Sequence, residues 1–263
     1  MTASEGVSEF AMNKFDIGII GGTRGIGGWF AAFFKGEGYP VHVAGRSTGM
    51  PIPKLAERCR VIIVAVPIAA TLDAIRDVGP HLPEDALLMD LTSLKEEPVR
   101  AMIEATAAEV VGCHPLFGPD CPSLAGQNII LCPGRGERWL NRMEEIFAKG
   151  GARVTVTTPA EHDRMMALVQ GLTHLDTILM GLTLRDSGVE TAVLDAFSTP
   201  VFRAKQAIVE KVFDLRPEMY ASILAGNPAM PEILARYEKN LSRLKELVLN
   251  RDVEGLTTLL KKP

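Results

Sequence analysis

The sequence predicts an α/β chain: a doubly wound, mainly parallel sheet covered by helices on both faces, followed by an all-helical domain. Three observations predict it. From Phe15 to about Thr158, short runs rich in Val, Ile and Leu alternate with stretches whose apolar residues fall at helical spacing. From Pro159 onward the alternation stops and helical patterns follow one another. A glycine-rich turn joins the first apolar run to the first helical stretch. The expected divisions are a flexible tail over 1–14, a nucleotide-binding domain over 15–158 and a helical domain over 159–263.

The strand candidates are Ile17–Ile20, Val41–Ala44, Val61–Val66, Ala86–Leu91, Val110–Cys113, Asn128–Leu131 and Arg153–Val156. Between them, Phe30, Phe33 and Phe34, then Leu72, Ile75 and Val78, recur at the spacing of one helix face. Residues 159–185 contain no internal glycine except Gly171 and Gly181, and read as one long helix. Its apolar positions include Met165, Leu168, Leu172, Leu175, Ile178 and Leu179. Helical patterns follow at Val201–Phe213, Pro217–Leu224 and Pro231–Leu249, with a short one near Leu256.

The composition suits a soluble globular protein: 263 residues, 47% apolar, 23% charged, net charge −4. That balance excludes a global basic field, so no nucleic-acid partner is expected. The longest uninterrupted apolar stretch, Val61–Ala70, has ten residues and contains Pro67, against roughly 18 for a membrane span. The opening MTASEGVSEFAMNK lacks a secretory pattern and reads as the tail, with Met12 as an alternative start. The four cysteines, Cys59, Cys113, Cys121 and Cys132, form no CxxC pair. Reduced thiols in a cytoplasmic protein without a metal site are therefore expected.

The segment from Asp16 to Gly27, DIGIIGGTRGIG, is a strand entering a glycine turn that opens a helix. Glycines let the backbone turn tightly and approach a pyrophosphate, and the helix start offers free N–H groups and a positive dipole end. This is the pattern of a Rossmann-type dinucleotide site, with Gly21, Gly22, Thr23, Arg24, Gly25, Ile26 and Gly27 facing the cofactor. Arg24 stands where a middle glycine is usual. About 25 residues on, the second strand ends in Arg46-Ser47-Thr48. NAD enzymes commonly place a carboxylate there. A guanidinium instead pairs with a 2′-phosphate, so NADP is favoured over NAD, with a solvated surface arginine as the other reading. Val66 and Pro67, where the third strand ends, complete the expected cofactor contacts.

The segments DLTSLK (Asp90–Lys95) and HPLFGPD (His114–Asp120) each follow a strand, at the end where open α/β sheets bind ligands. Pro115 biases His114 toward extended backbone, and Gly118-Pro119 leave the loop little freedom. Spacing alone leaves His114 open between a functional imidazole and a structural hydrogen bond.

With these motifs on view, the sequence resembles the prephenate dehydrogenase family from Phe15 to about Leu260. The matching stretches are IIGGTRGIG, DLTSLK, HPLFGPD followed by SLAGQ, EHDRMMALVQGLTHL, TPVFRAKQAIVEKVF and MYASIL. The pattern is nearest to the dehydrogenase half of the bifunctional chorismate mutase enzymes, and the short tail is expected to hold no mutase segment. No regulatory domain is expected after Pro263.

The resemblance implies oxidative decarboxylation of prephenate to 4-hydroxyphenylpyruvate, in tyrosine biosynthesis, by a homodimer built through the helical domain, with the site between the domains. It implies that His114 is the catalytic base and that Ser93 touches the reacting hydroxyl. It gives Arg203 a substrate carboxylate, and puts Gln170 and His174, four apart on one helix, on the substrate side. Asp120 would orient His114 or its loop. Lys95 would supply positive charge to a prephenate-like dicarboxylate, with a surface lysine as the other reading. His162 matches the family but suits a structural role, and His42 and His81 receive none. Arg24, Arg46, Cys113 and Gly171 depart from the family pattern. Arogenate and 4-amino-4-deoxyprephenate remain alternative substrates.

Other readings fare worse. The short-chain dehydrogenase mechanism needs Tyr followed four residues later by Lys; Tyr39, Tyr220 and Tyr237 are followed by Val43, Leu224 and Leu241. A β-hydroxyacid dehydrogenase needs a lysine at the start of its long helix, and none occurs between Pro159 and Lys205. An NADP-sensing regulator gives no reason for His114, Ser93 and Arg203 to occur together.

Overall fold

Seven apolar runs pair into one sheet: β1 (Ile17–Ile20), β2 (Val41–Ala44), β3 (Val61–Val64), β4 (Leu87–Asp90), β5 (Glu109–Pro115), β6 (Asn128–Arg135) and β7 (Arg153–Val156). This computed structural model describes residues 14–261. The expected tail with Met12 lies, apart from Lys14, outside the described residues. The strand order is β2-β1-β3-β4-β5-β6-β7. Ile17 pairs with Val41 on one side and Val61 on the other, both parallel. The order therefore switches direction beside β1. The β5–β6 pair alone is antiparallel. No helix separates those two strands, and without a crossover the chain returns antiparallel.

Alternation along the strands sorts the core into two layers. Ile17, Ile19, Val61, Ile63, Leu87 and Met89 face Phe30 and Phe34 of α1 (Gly25–Gly36) and Trp139, Met143 and Phe147 of α5 (Arg138–Lys149). Ile20, Ile62, Val64 and Leu88 face α2 (Ile52–Arg58), α3 (Ile68–Val78) and α4 (Glu96–Ala105). Both faces of the central strands β1, β3 and β4 are buried, as the doubly wound prediction requires. Each fully buried Ile, Leu or Phe contributes roughly 1.5–3 kcal/mol, so the sheet is a stiff base for the loops at its strand ends.

The chain separates into two compact units, the second beginning at Arg164. The predicted long helix is continuous over Pro159–Asp186 but not uniform. It comprises α6 (Pro159–Met166), a π-helical turn (Ala167–Gly171) and α7 (Leu172–Asp186). Gly171 is buried, and a Cβ there would lie 2.3 Å from Met230 Sδ. Its departure from the family pattern thus makes room for Met230. There follow α8 (Thr191–Ala196), α9 (Pro200–Glu210), a second π turn (Lys211–Leu215), α10 (Pro217–Gly226), α11 (Met230–Leu249) and α12 (Val253–Leu260). Gly181 of α7 lets α9 approach, since a Cβ would lie 2.8 Å from Val209 Cγ1.

By length and composition alone, Pro159–Asp186 is also long and apolar enough to cross a membrane. A count of uninterrupted apolar letters overlooks it, because isolated polar residues such as His174 and Asp176 break the run. The free thiols Cys59, Cys113 and Cys132 are buried. Burial pushes the Cys59 and Cys132 thiols up to about 12, which leaves them protonated and unreactive.

Candidate active site

The glycine turn lies at the carboxyl end of β1, beside the point where strand order reverses. Gly21 has φ +87°, and a Cβ there would lie 2.4 Å from the Ala65 carbonyl oxygen. At Gly27 a Cβ would meet the Gly21 carbonyl oxygen at 2.6 Å, so glycine lets α1 pack against the turn. Gly25, with φ +60°, faces open space. Arg24 is the N-cap, with φ −160° and no side-chain capping bond. That extended backbone suits any residue, which explains why arginine is tolerated where glycine is usual. Uncapped N–H groups and an open cradle fit a dinucleotide pyrophosphate.

The neighbouring loops complete this edge. Arg46, Ser47 and Thr48 are exposed after β2. The Thr48 hydroxyl closes their turn, accepting from Gly45 N–H at 2.9 Å and donating to its carbonyl at 3.0 Å. Val66 is half-buried and Pro67 exposed at the start of α3, just beyond β3.

Two strands further along, β5 delivers His114, 4% exposed. Its Nδ1 lies 2.9 Å from His162 Nε2. His162 Nδ1 in turn lies 2.7 Å from Asp163 Oδ1. Asp163 also accepts the backbone N–H groups of Lys95 (2.9 Å) and Glu96 (3.0 Å), at the start of α4. The carboxylate thus sits on a helix N-terminus, where the dipole favours negative charge. An acceptor at that end orders the protons: His162 Nδ1–H donates to Asp163, and His114 Nδ1–H donates to His162 Nε2. The lone pair of His114 is left on Nε2. Burial, then His162, then Lys95 hold the His114 pKa well below its ordinary 6.5, so the imidazole is neutral at pH 7.

Lys95 is fully buried, which excludes the surface reading. Its ammonium pairs with Asp90 and donates to the Cys113 carbonyl at 3.0 Å. Asp90 Oδ2 also accepts from the Thr92 N–H at 2.9 Å and hydroxyl at 2.6 Å. The expectation that Lys95 binds substrate is therefore corrected: its charge is neutralised internally, and it anchors the peptide just before His114. Asp120 is exposed, and the Nδ1 of His114 is taken by His162. Ser93, half-buried, leaves the carboxyl end of β4, adjacent to the end of β5 that carries His114.

In the second unit, His174 packs edge-on against Tyr220 with ring centroids 4.7 Å apart. Burial lowers its pKa. Gln170 lies in the π turn, and its Oε1 is buried with no hydrogen-bond partner among the described residues. Arg203 is exposed on α9, with Nη2 donating to the Ser198 carbonyl at 3.2 Å. Sequence reasoning missed the roles of His162 and Asp163. The only local sign was the adjacent pair His-Asp at a helix start, 48 residues from its partner.

A glycine cradle at the sheet's switch point, a carboxylate-backed histidine three strands away and a following helical unit define a two-domain dinucleotide-binding protein. Within that class the chain belongs to the prephenate dehydrogenase family, as the motifs indicated. Residues 46–156 match the family's nucleotide-binding domain and residues 158–262 its dimerization domain. A Methanocaldococcus jannaschii protein named "Probable arogenate/prephenate dehydrogenase" is 37% identical over 93% of this chain and 59% of its own length. The Haemophilus influenzae "T-protein" is 34% identical over 90% of this chain and 63% of its own length. The chain therefore spans about three-fifths of these relatives. The crystal structure of prephenate dehydrogenase from A. aeolicus, in complex with hydroxyphenyl propionate and NAD+, has the same fold. Its TM-score is 0.73 at 20% identity, with 94% of this chain and 96% of that one covered.

Proposed function

We propose that the chain catalyses NADP-dependent oxidative decarboxylation of prephenate to 4-hydroxyphenylpyruvate. The observation that carries this reading is the ordered His114–His162–Asp163 chain. It ends in an unprotonated Nε2 on the sheet edge that also bears the glycine cradle. An unprotonated imidazole nitrogen can accept a hydroxyl proton.

Gly21 to Gly27 would hold the pyrophosphate, Arg46 and Arg24 the 2′-phosphate, and Ser47, Thr48, Val66 and Pro67 the flanking groups. When bound, the nicotinamide accepts a hydride from the substrate's C4. His114 Nε2 takes the proton of the C4 hydroxyl, and Ser93 orients that hydroxyl. The ring carboxylate then leaves as carbon dioxide, and the electron pair of the breaking C–C bond makes the ring aromatic. His114 returns its proton to the phenolate oxygen. Arg203 supplies a guanidinium for a substrate carboxylate, with Gln170 and His174 as further polar contacts. The apolar helix Pro159–Asp186, only 22% buried over its most apolar window, suits a homodimer better than a membrane. Such an enzyme works in the cytoplasm.

The alternative substrates are arogenate, whose side chain is an amino acid, and 4-amino-4-deoxyprephenate, in which an amine replaces the hydroxyl. The test follows NADPH absorbance with the three substrates side by side, using NADP and NAD in turn. Turnover of prephenate with NADP above the other pairs is expected. Faster turnover of another substrate reassigns it, and turnover of none removes the reading.

A further inference from the structure

Trp29 stands on α1 four residues past Gly25, roughly 6 Å along the helix axis. Its indole N–H donates to the Cys121 carbonyl at 2.7 Å. Its ring stacks on Phe33, centroids 5.8 Å apart, and meets Phe117 edge-on at 4.9 Å. Phe30 of the same helix lies 6.2 Å from Phe117. Phe117 and Cys121 belong to the loop from Leu116 to Gln127, which leaves the sheet directly after His114-Pro115. One face of α1 thus grips the loop that continues from the candidate base, while the start of the same helix forms the dinucleotide cradle.

Burial holds only part of the loop: Leu124 is 2% exposed and sits in the sheet core. Gly118, Asp120, Pro122, Ser123, Ala125 and Gly126 are exposed, and such segments open easily on their own. An indole suits the task of holding it, because a broad apolar ring packs the aromatic residues while its N–H reaches a backbone acceptor.

We infer that Trp29 is a positioning residue that latches the loop 116–127 to the cofactor-binding helix, so that dinucleotide binding steadies the chain immediately following His114. Linkage makes the effect reciprocal: a steadied loop also favours the bound dinucleotide. The inference rests on the dehydrogenase reading above, and its test separates the two.

The test is hydrogen–deuterium exchange of the full chain, with and without saturating NADP, read at residues 21–30 and 116–126. In the wild type, NADP is expected to slow exchange in both segments, by about fivefold in the loop, the order one hydrogen bond supplies. In Trp29→Phe, which keeps an aromatic ring but loses the N–H, NADP should still bind within about threefold of the wild-type Kd and still protect 21–30. Loop protection should then fall below twofold. A protected cradle with an unprotected wild-type loop overturns the latch alone, as does full loop protection in Trp29→Phe. No protection of 21–30 in the wild type overturns the dehydrogenase reading and the latch with it. If Trp29→Phe does not fold, the wild-type comparison decides.

Discussion

Replacing His162 with phenylalanine keeps a ring of similar shape beside His114 but removes the acceptor for its Nδ1–H, now 2.9 Å away. His114 is 4% exposed, so water cannot readily substitute. An unpaired buried donor costs about 1–3 kcal/mol. The imidazole escapes that cost by moving its proton to Nε2, where substrate or solvent can accept it. The nitrogen that should take the hydroxyl proton is then already protonated. Converted at 1.36 kcal/mol per tenfold, the penalty lowers the competent tautomer, and hence kcat, by roughly 5- to 150-fold. The dinucleotide Kd should stay within about threefold, because the glycine cradle is untouched. A second readout separates positioning from general damage. His162 is one of the groups that lower the His114 pKa, so its removal should move the acid limb of the kcat/KM profile to higher pH. Stopped-flow turnover, dinucleotide titration and the pH profile check this together. A folded His162→Phe enzyme turning over within threefold of wild type would refute the proton-ordering argument.

Four further outcomes are expected. His114→Asn should lower kcat by roughly 10²-fold or more, with little change in dinucleotide affinity by titration calorimetry. Arg46→Ala should raise the KM for NADP far more than that for NAD; equal effects would place the 2′-phosphate elsewhere. Arg203→Ala should mainly raise the KM for the acid substrate, and an unchanged KM would assign the carboxylate to another cation. Stability should also depend on pH. The folded pKa of His114 lies well below 6.5 and that of His174 is lowered too. The unfolded chain therefore takes up protons first as pH falls below about 6.5. Stability should be full above that value and decline below it, by up to about 1.4 kcal/mol per pH unit for the buried His114 and by less for the half-buried His174. A urea midpoint at pH 5.5 equal to or above that at pH 7.5 would contradict this sign.

Much of this protein is written in local pattern. The alternation of apolar runs predicts all seven strands, and β1, β2 and β7 fall on the predicted residues. Both buried faces follow from the same runs, because a strand covered on two sides must be apolar at every position. The glycine turn is equally legible, since φ +87° and a 2.4 Å clash leave no other residue at Gly21. Short or irregular elements are not. The six-residue α8 is too brief to show a period, and the need for glycine at the end of the π turn, Gly171, comes from Met230, some 60 residues away.

His114 could be picked out from the motif around it, but the hydrogen bonds that order its proton could not. Its proton is ordered by His162 and Asp163, and the peptide before it is anchored by Lys95, whose sequence context reads as a surface helix start. Those partners are remote in the chain and meet only because β4, β5 and the start of α6 converge at one edge of the sheet. Spacing reports which face a residue takes within its own element. Hydrogen bonds between elements, and the burial that gives them their strength, exist only once the chain has folded.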